Sequence, residues 1–206
     1  MSGEASTSGA AIYTIGHSTR SLDTLVDMLR EYGVQLLVDV RTVPRSRTNP
    51  QHNQEALALA LPARGIRYIW LGAELGGLRK RNRELGTLNA GWQNPSFQGY
   101  ADYMQSGEFA AGVARLEDAA RGAPAALMCA EVVHWRCHRS LLSDALVARG
   151  WRVLHILAAG KPPTVHVLPA FAKVEEGTKI TYPPVEVDAA LAAAGQRRIT
   201  AFFDKK

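Results

Sequence analysis

Residues 34–41 read Val-Gln-Leu-Leu-Val-Asp-Val-Arg, an apolar run that ends in an acidic and a basic residue. A short run of this kind, rich in branched aliphatic residues, is typical of a strand that is covered on both faces. Such strands occur mainly in parallel sheets with helices packed on each side. The stretch therefore favours an α/β fold.

Strand and helix patterns alternate on both sides of this stretch. Upstream, Ile12–Gly16 has the character of a first strand, and Ser21 is a suitable cap for a helix that ends near Gly33. Downstream, a helix is expected over about residues 53–63 and a third strand over residues 67–71. We therefore predict a three-layer, Rossmann-like α/β fold, with a mostly parallel sheet of about five strands, helices on both faces and an irregular C-terminal tail.

The later segments complete this pattern and set the predicted domain limits. Residues 72–95 show no clear period, and a loop of that length in a compact domain is usually functional or mobile, for example as a lid. Further helices are expected over residues 97–104, 109–120 and 137–148, and strands over residues 124–128, 151–157 and 164–168. The predicted organisation is a disordered leader (1–10), a single α/β domain (11–168) and a C-terminal tail (169–206).

The composition limits the class of protein. A net charge of +5 and an isoelectric point near 9.4 mildly favour an anionic partner such as a nucleotide or nucleic acid. No segment approaches the ~20 apolar residues of a membrane span, and the first residues lack the pattern of a signal peptide. Two cysteines are too few for a disulfide framework. We therefore expect a cytoplasmic protein without a membrane partner.

Chemically active side chains follow the predicted strands. His17 and Ser18 follow the first strand, Asp39 and Arg41 end the second, and Glu131 follows the strand at residues 124–128. In open α/β sheets, ligands bind at the carboxyl ends of the strands. We therefore expect these side chains to meet at one edge of the sheet.

Each of these residues has a predicted role. Glu131 is the preferred general base or acid, with His17 and Asp39 as further catalytic groups. Asp39 and Arg41 form either a salt bridge that shapes the loop or a site in which the arginine binds a phosphate beside the carboxylate. The predicted substrate-binding residues are Ser18, Arg41, Arg47, His138 and Arg139.

Residues 127–140 read Leu-Met-Cys-Ala-Glu-Val-Val-His-Trp-Arg-Cys-His-Arg-Ser and contain both cysteines. Cys137 stands where a helix is expected to begin, and the backbone N–H groups there, with Arg136 and Arg139, would lower the pKa of its thiol. It is therefore a candidate nucleophile for sulfur or phosphoryl transfer, the alternative being a small buried residue. His138 is placed ~100° around the helix from Cys137, so the two side chains need not touch.

A metal site is a further alternative by ligand type. Its members would be Cys129, Glu131, Cys137 and His138, with His17 as another donor. The cysteine spacing matches neither a zinc ribbon nor a zinc knuckle. We therefore assign no metal ligands from the sequence and leave the cofactor open.

Five sequence blocks occur in order along the chain. They are Thr14-Ile-Gly-His-Ser18, Leu37-Val-Asp-Val-Arg41 with Pro44-Arg-Ser46, Leu75-Gly-Gly77, the aromatic residues Phe97, Tyr100 and Tyr103, and Met128-Cys-Ala-Glu131 with Cys137-His-Arg139. Over about residues 12–157, these blocks together resemble the domain of unknown function 488 family. The resemblance implies a Rossmann-like α/β domain and no particular reaction.

The end of the chain carries a separate motif, Gln196-Arg-Arg-Ile199-Thr-Ala-Phe202-Phe203. It resembles the peptide with which replication and repair proteins bind the sliding clamp (PCNA). A one-turn helix would place Ile199, Phe202 and Phe203 on one side, with Gln196 as a hydrogen-bonding group nearby. The alternative is that the aromatic residues pack on the protein's own domain or on a second copy.

Three functional hypotheses follow. The leading one is an enzyme that acts on an anionic nucleotide or nucleic-acid substrate at the sheet edge, with a link to DNA repair suggested by the charge and the tail. The second is a non-catalytic module that binds nucleic acid or a sliding clamp. The third is a cysteine-dependent transferase or a metal enzyme.

Overall fold

The centre of the molecule is a six-stranded sheet. In a computed structural model that describes residues 10–175 and 178–184, its strands are β1 (Ala11–Gly16), β2 (Leu36–Asp39), β3 (Arg67–Trp70), β4 (Ala125–Cys129), β5 (Arg152–Ile156) and β6 (Thr164–Val165). The strand order is β3-β2-β4-β1-β5-β6. Strands β1 to β5 run parallel, and β6 pairs antiparallel with β5 at the edge. This confirms the predicted mostly parallel sheet.

Helices cover both faces of the sheet. They are α1 (Leu22–Glu31), α2 (Gln54–Ala60), α3 (Gly72–Leu75), α4 (Pro95–Tyr103), α5 (Gly107–Arg121) and α6 (Arg139–Ala148). Alternate side chains of a strand point to opposite faces. In β2, Leu37 packs in a cluster with residues of α1 and α2, whereas Leu36 and Val38 pack in a second cluster with residues of α4, α5 and α6. The predicted three-layer α/β fold is therefore confirmed.

Local signals explain where the helices begin and end. The Ser21 side chain accepts a hydrogen bond from the backbone N–H of Thr24 and so caps α1. Gly33 then adopts the left-handed conformation, with φ of +65°. Helix α2 is shorter than predicted, because Pro62 has no N–H to donate and its ring obstructs the preceding turn. A 3₁₀ turn over Pro62–Arg64 replaces the last predicted turn.

Residues beyond 168 pack against the α/β core as far as the structure describes them. They form a short antiparallel hairpin of β7 (Lys173–Val174) and β8 (Ile180–Thr181). Tyr182 is fully buried, and its hydroxyl donates a hydrogen bond of 2.7 Å to Asp144 in α6. The division between domain and tail at residue 168 stays a prediction.

The helices of the fold that the structure describes are too short or too polar to span a bilayer. Across the described ranges, none of them is both long enough and apolar enough to cross a membrane. The cytoplasmic location stays a prediction.

Candidate functional site

Three neighbouring strands end at the same edge of the sheet. In the order β2-β4-β1, they present Asp39, Cys129 and Gly16 as their last residues. The loops that follow carry His17 after β1 and Glu131 after β4. The topology thus places the strand-end residues chosen from the sequence along one edge.

Two adjoining cavities open along this edge. The first, which we call the thiol cavity, has a volume of 410 Å³ and is lined by Cys129, Cys137 and His138 among others. The second, the loop cavity, has a volume of 550 Å³ and is lined by residues of the loops after β1 and β2, including His17 and Ser18. Both cavities are lined by Arg41, Val43, Ala130, Glu131 and Arg136.

Asp39 and Arg41 form a buried ion pair. The Arg41 side chain donates to both carboxylate oxygens of Asp39, at 2.9 and 2.5 Å, and to the carbonyl oxygen of His52 at 2.7 Å. Tyr68 donates its hydroxyl to the same carboxylate at 2.8 Å. Burial, together with Asp39, raises the pKa of Tyr68, so this hydroxyl stays a donor. Most of the donors of Arg41 are therefore used within the protein.

His17 engages both of its ring nitrogens. Its Nε2 lies 3.0 Å from the Arg41 guanidinium, which can only donate, and its Nδ1 lies 2.8 Å from the carbonyl oxygen of Ser18. Burial lowers the pKa of His17 to about 4, so the ring is neutral near pH 7. Arg41 bonds both to this ring and to the Asp39 carboxylate, so it links the two residues. Ser18 has a left-handed backbone (φ +50°) and donates its N–H to Ala130.

The Cys137 and His138 side chains are in contact. The Cys137 Sγ lies 3.6 Å from the His138 Nδ1, and the His138 Nε2 donates to the carbonyl oxygen of Val40 at 3.0 Å. The helical spacing argument does not apply, because Cys137 has an extended backbone and α6 begins only at Arg139. The neighbouring Cys129 thiol lowers the pKa of Cys137, and Cys137 in turn raises the pKa of Cys129.

Glycines allow the loops to approach one another at this edge. A Cβ atom at Gly77 would lie 2.6 Å from Cγ of the His138 ring, so only glycine fits there without movement. A Cβ at Gly16 would collide with the carbonyl oxygen of Glu131, and one at Gly72 with that of Arg41. The Leu75-Gly-Gly77 block thus lets the loop after α3 pack against His138.

Two of the arginines predicted to bind the substrate line neither cavity. Arg139 is 1% exposed and donates to Thr14 and to the carbonyl oxygens of Glu131 and Val132, so it holds the loop after β4 in place. Arg47 is exposed and lines neither cavity. The other predicted catalytic and substrate-binding residues line at least one cavity, except Asp39, which lies buried behind Arg41.

The structure adds cavity-lining residues that were not predicted to bind the substrate. Arg136 is exposed and lines both cavities. Its position next to Cys137 was the available signal. Asn94 and Phe97, at the amino end of α4, also line the thiol cavity. Asn94-Pro95 is a typical helix start, but no local pattern shows that this helix faces the cavity.

The C-terminal motif lies outside the described residues. Gln196, Ile199, Phe202 and Phe203 are all in this part of the chain. Binding to a sliding clamp therefore stays a prediction. Recovery of the clamp by the wild-type protein, compared with a Phe202→Ala/Phe203→Ala variant, would test it, and equal recovery would contradict it.

Comparison with known proteins gives one match. Residues 21–146, which make up more than half of the chain, match a family model described as domain of unknown function DUF488. Searches of curated proteins and of solved structures found no match for the chain.

Proposed function

The chain belongs to the family of the domain of unknown function DUF488, and we propose that it is an enzyme whose active site is formed by the two cavities at the sheet edge. Its substrate is a small anionic molecule of the nucleotide class. Glu131 acts as the general acid or base, and Arg136 binds the anionic group.

One observation carries this proposal: Glu131 and Arg136 are the charged, exposed side chains that line both cavities. Among the described residues, neither side chain takes part in an ion pair or hydrogen bond with the protein. Arg41, the other arginine common to both cavities, is bound to Asp39, His17 and His52. A carboxylate and a guanidinium with unused hydrogen-bonding capacity can therefore both reach a bound molecule.

The size and lining of the cavities support a substrate of this class. Their volumes of 410 and 550 Å³ fall within the ~300–1,000 Å³ of typical small-molecule sites. Phe97 lines the thiol cavity and can present its ring to a planar base. Arg45 and Arg136 line the loop cavity and suit a phosphate. A link to DNA repair rests on the net charge and on the C-terminal motif, and stays a prediction.

Binding measurements test the substrate class. Isothermal titration calorimetry with mono- and dinucleotides and short single-stranded DNA should detect binding to the wild-type protein. Arg136→Ala should weaken it about tenfold or more, which corresponds to about 1.4 kcal/mol. Arg47→Ala is the matched control, because Arg47 is exposed in the same part of the molecule and lines neither cavity. Equal losses in both variants would indicate diffuse charge attraction and would contradict the site.

Turnover tests the role of Glu131. Products formed from the nucleotides that bind would be identified by chromatography and mass spectrometry. Glu131→Gln keeps the shape of the side chain but cannot transfer a proton, so the rate should fall by roughly 10²–10⁴ with little change in affinity. An unchanged rate in this variant would exclude the acid–base role.

A further inference from the structure

Three ligand atoms converge at the floor of the thiol cavity. The Sγ atoms of Cys129 and Cys137 and a ring nitrogen of His138 all lie within 4.8 Å of one another, and Nδ1 is the nitrogen in contact with Cys137. We propose that these three residues bind a zinc ion and leave its fourth coordination position open to the thiol cavity. This site is one that neither the cysteine spacing nor the family match assigns.

The distance between Cys137 and His138 matches this geometry. Zinc binds sulfur at ~2.3 Å and nitrogen at ~2.0–2.1 Å, and a tetrahedral angle between these bonds separates the two ligand atoms by ~3.6 Å. The observed distance from Cys137 Sγ to His138 Nδ1 is 3.6 Å. The two atoms can therefore share one ion with little movement of either side chain.

The histidine is held in the orientation that metal binding requires. Its Nε2–H donates to the carbonyl oxygen of Val40, which leaves Nδ1 as the nitrogen that faces the cysteines. Metal-binding histidines almost always have their second nitrogen bonded in this way. Gly77 packs against Nδ1 and Cγ of the ring, and the Tyr100 ring centroid lies 5.2 Å away. The imidazole is thus positioned before any ion binds.

The ligand set is that of a catalytic rather than a structural zinc site. Structural zinc normally has four protein ligands, whereas catalytic zinc has three and an open position, and two cysteines with one histidine form a known set of this type. All three residues line the thiol cavity together with Glu131. The fold therefore offers an open metal position and a carboxylate in one cavity.

A second group of ligand atoms does not fit a metal as well. His134, His155 and His166 also place ring nitrogens within 4.8 Å of one another. However, the rings of His134 and His155 are stacked 3.5 Å apart and within 8° of parallel. An ion lies in the plane of each imidazole that binds it, and two stacked planes share no such point. His155 and His166 are, in addition, already hydrogen-bonded to each other, to Thr14 and to Asp144.

The catalytic use of the zinc rests on the function proposed above, whereas its binding does not. Each cysteine binds as a thiolate, so any thiol proton is released to solvent when the ion binds. Water in the fourth position has its pKa lowered by the metal, and Glu131 accepts its proton. The zinc would thus supply a hydroxide nucleophile for hydrolysis, and Glu131, which lines the same cavity, would be the group that exchanges the proton.

Cobalt substitution tests the binding step without a substrate. The full-length protein would be stripped of metal with a chelator under reducing conditions and titrated with Co²⁺. Binding of one ion per chain should produce a sulfur-to-cobalt charge-transfer band and the intense visible bands of a tetrahedral site, and Zn²⁺ should displace the cobalt. Cys129→Ser, Cys137→Ser and His138→Asn should each weaken or abolish these bands.

Two controls keep the result interpretable. His134→Asn should leave the spectrum unchanged, because this histidine belongs to the other group. In the wild-type protein, Zn²⁺ should protect both cysteines from alkylation, which tests the site even where a cysteine variant fails to fold. No cobalt binding, a spectrum without the sulfur band, or loss of binding in His134→Asn would overturn the proposal. Because these measurements need no nucleotide, their failure is distinct from failure of the substrate assays.

Discussion

Arg41→Met should strongly destabilise the protein. The substitution removes every side-chain hydrogen bond between Arg41 and its partners and leaves the Asp39 carboxylate, which is 0% exposed, without its counter-charge. Among residues 10–175 and 178–184, the Tyr68 hydroxyl and the backbone N–H of residue 41 would be the donors that remain to it. Breaking a buried pair from one side costs about 3–5 kcal/mol. In a domain of this size, that lowers Tm by roughly 6–20 °C.

Urea unfolding followed by circular dichroism would measure this effect. Arg45→Met is the matched control, because the Arg45 ion pair with Glu55 has both side chains more than two-thirds exposed and should contribute little to stability. Adding Asp39→Asn to Arg41→Met should restore part of the loss, since it removes the isolated charge. If Arg41→Met has the same free energy of unfolding as Arg45→Met but no longer binds nucleotide, then Arg41 binds the substrate rather than stabilising the fold. Our interpretation of the Asp39–Arg41 ion pair would then be wrong.

Two further predictions concern the residues around the site. Gly77→Ala should lower the free energy of unfolding by about 1–3 kcal/mol through overpacking and weaken cobalt binding, because the new methyl group would displace the His138 ring. A variant with the stability and cobalt affinity of the wild type would contradict the close approach of Gly77 to this ring. The pKa of His17 is about 4 in the folded protein against 6.5 unfolded, so the unfolded state binds more protons between these values. Its contribution to stability is complete above pH 6.5 and is lost as the pH falls toward about 4. At about pH 5, the loss in the free energy of unfolding is about 2 kcal/mol. The slope of unfolding free energy against pH should therefore be smaller in His17→Gln, and an identical slope would exclude His17 as its source.

Much of the fold could be predicted because its signals are local. The apolar run at residues 34–40 indicated a strand buried on both faces, and Leu36 and Leu37 do pack on opposite sides of the sheet. Ser21 and Gly33 marked the ends of α1 through hydrogen-bonding and backbone preferences that depend on few neighbours. Boundaries shifted where a single residue interrupted the pattern, as Pro62 does after α2.

The candidate site could be predicted in position but not in its contacts. The carboxyl ends of the strands carried His17, Asp39 and Glu131, as parallel topology requires. The contact between Cys137 and His138 was missed because the expected helix begins two residues later, at Arg139. The extended backbone at Cys137 turns its side chain toward the histidine ring instead.

The sequence by itself determined the α/β class, the family and the sheet edge at which the polar residues meet, because periodicity, caps and strand ends are properties of neighbouring residues. Only the tertiary structure decided which of the arginines can reach a ligand. Arg41 bonds to His17, 24 positions away, and Arg139 bonds to Thr14, 125 positions away, so both are held inside the protein. Arg136 makes no such bond among the described residues. Whether a charged side chain can bind a ligand depends on whether it is already bonded to residues that are distant in the chain. Those residues come close to it only when the sheet has formed.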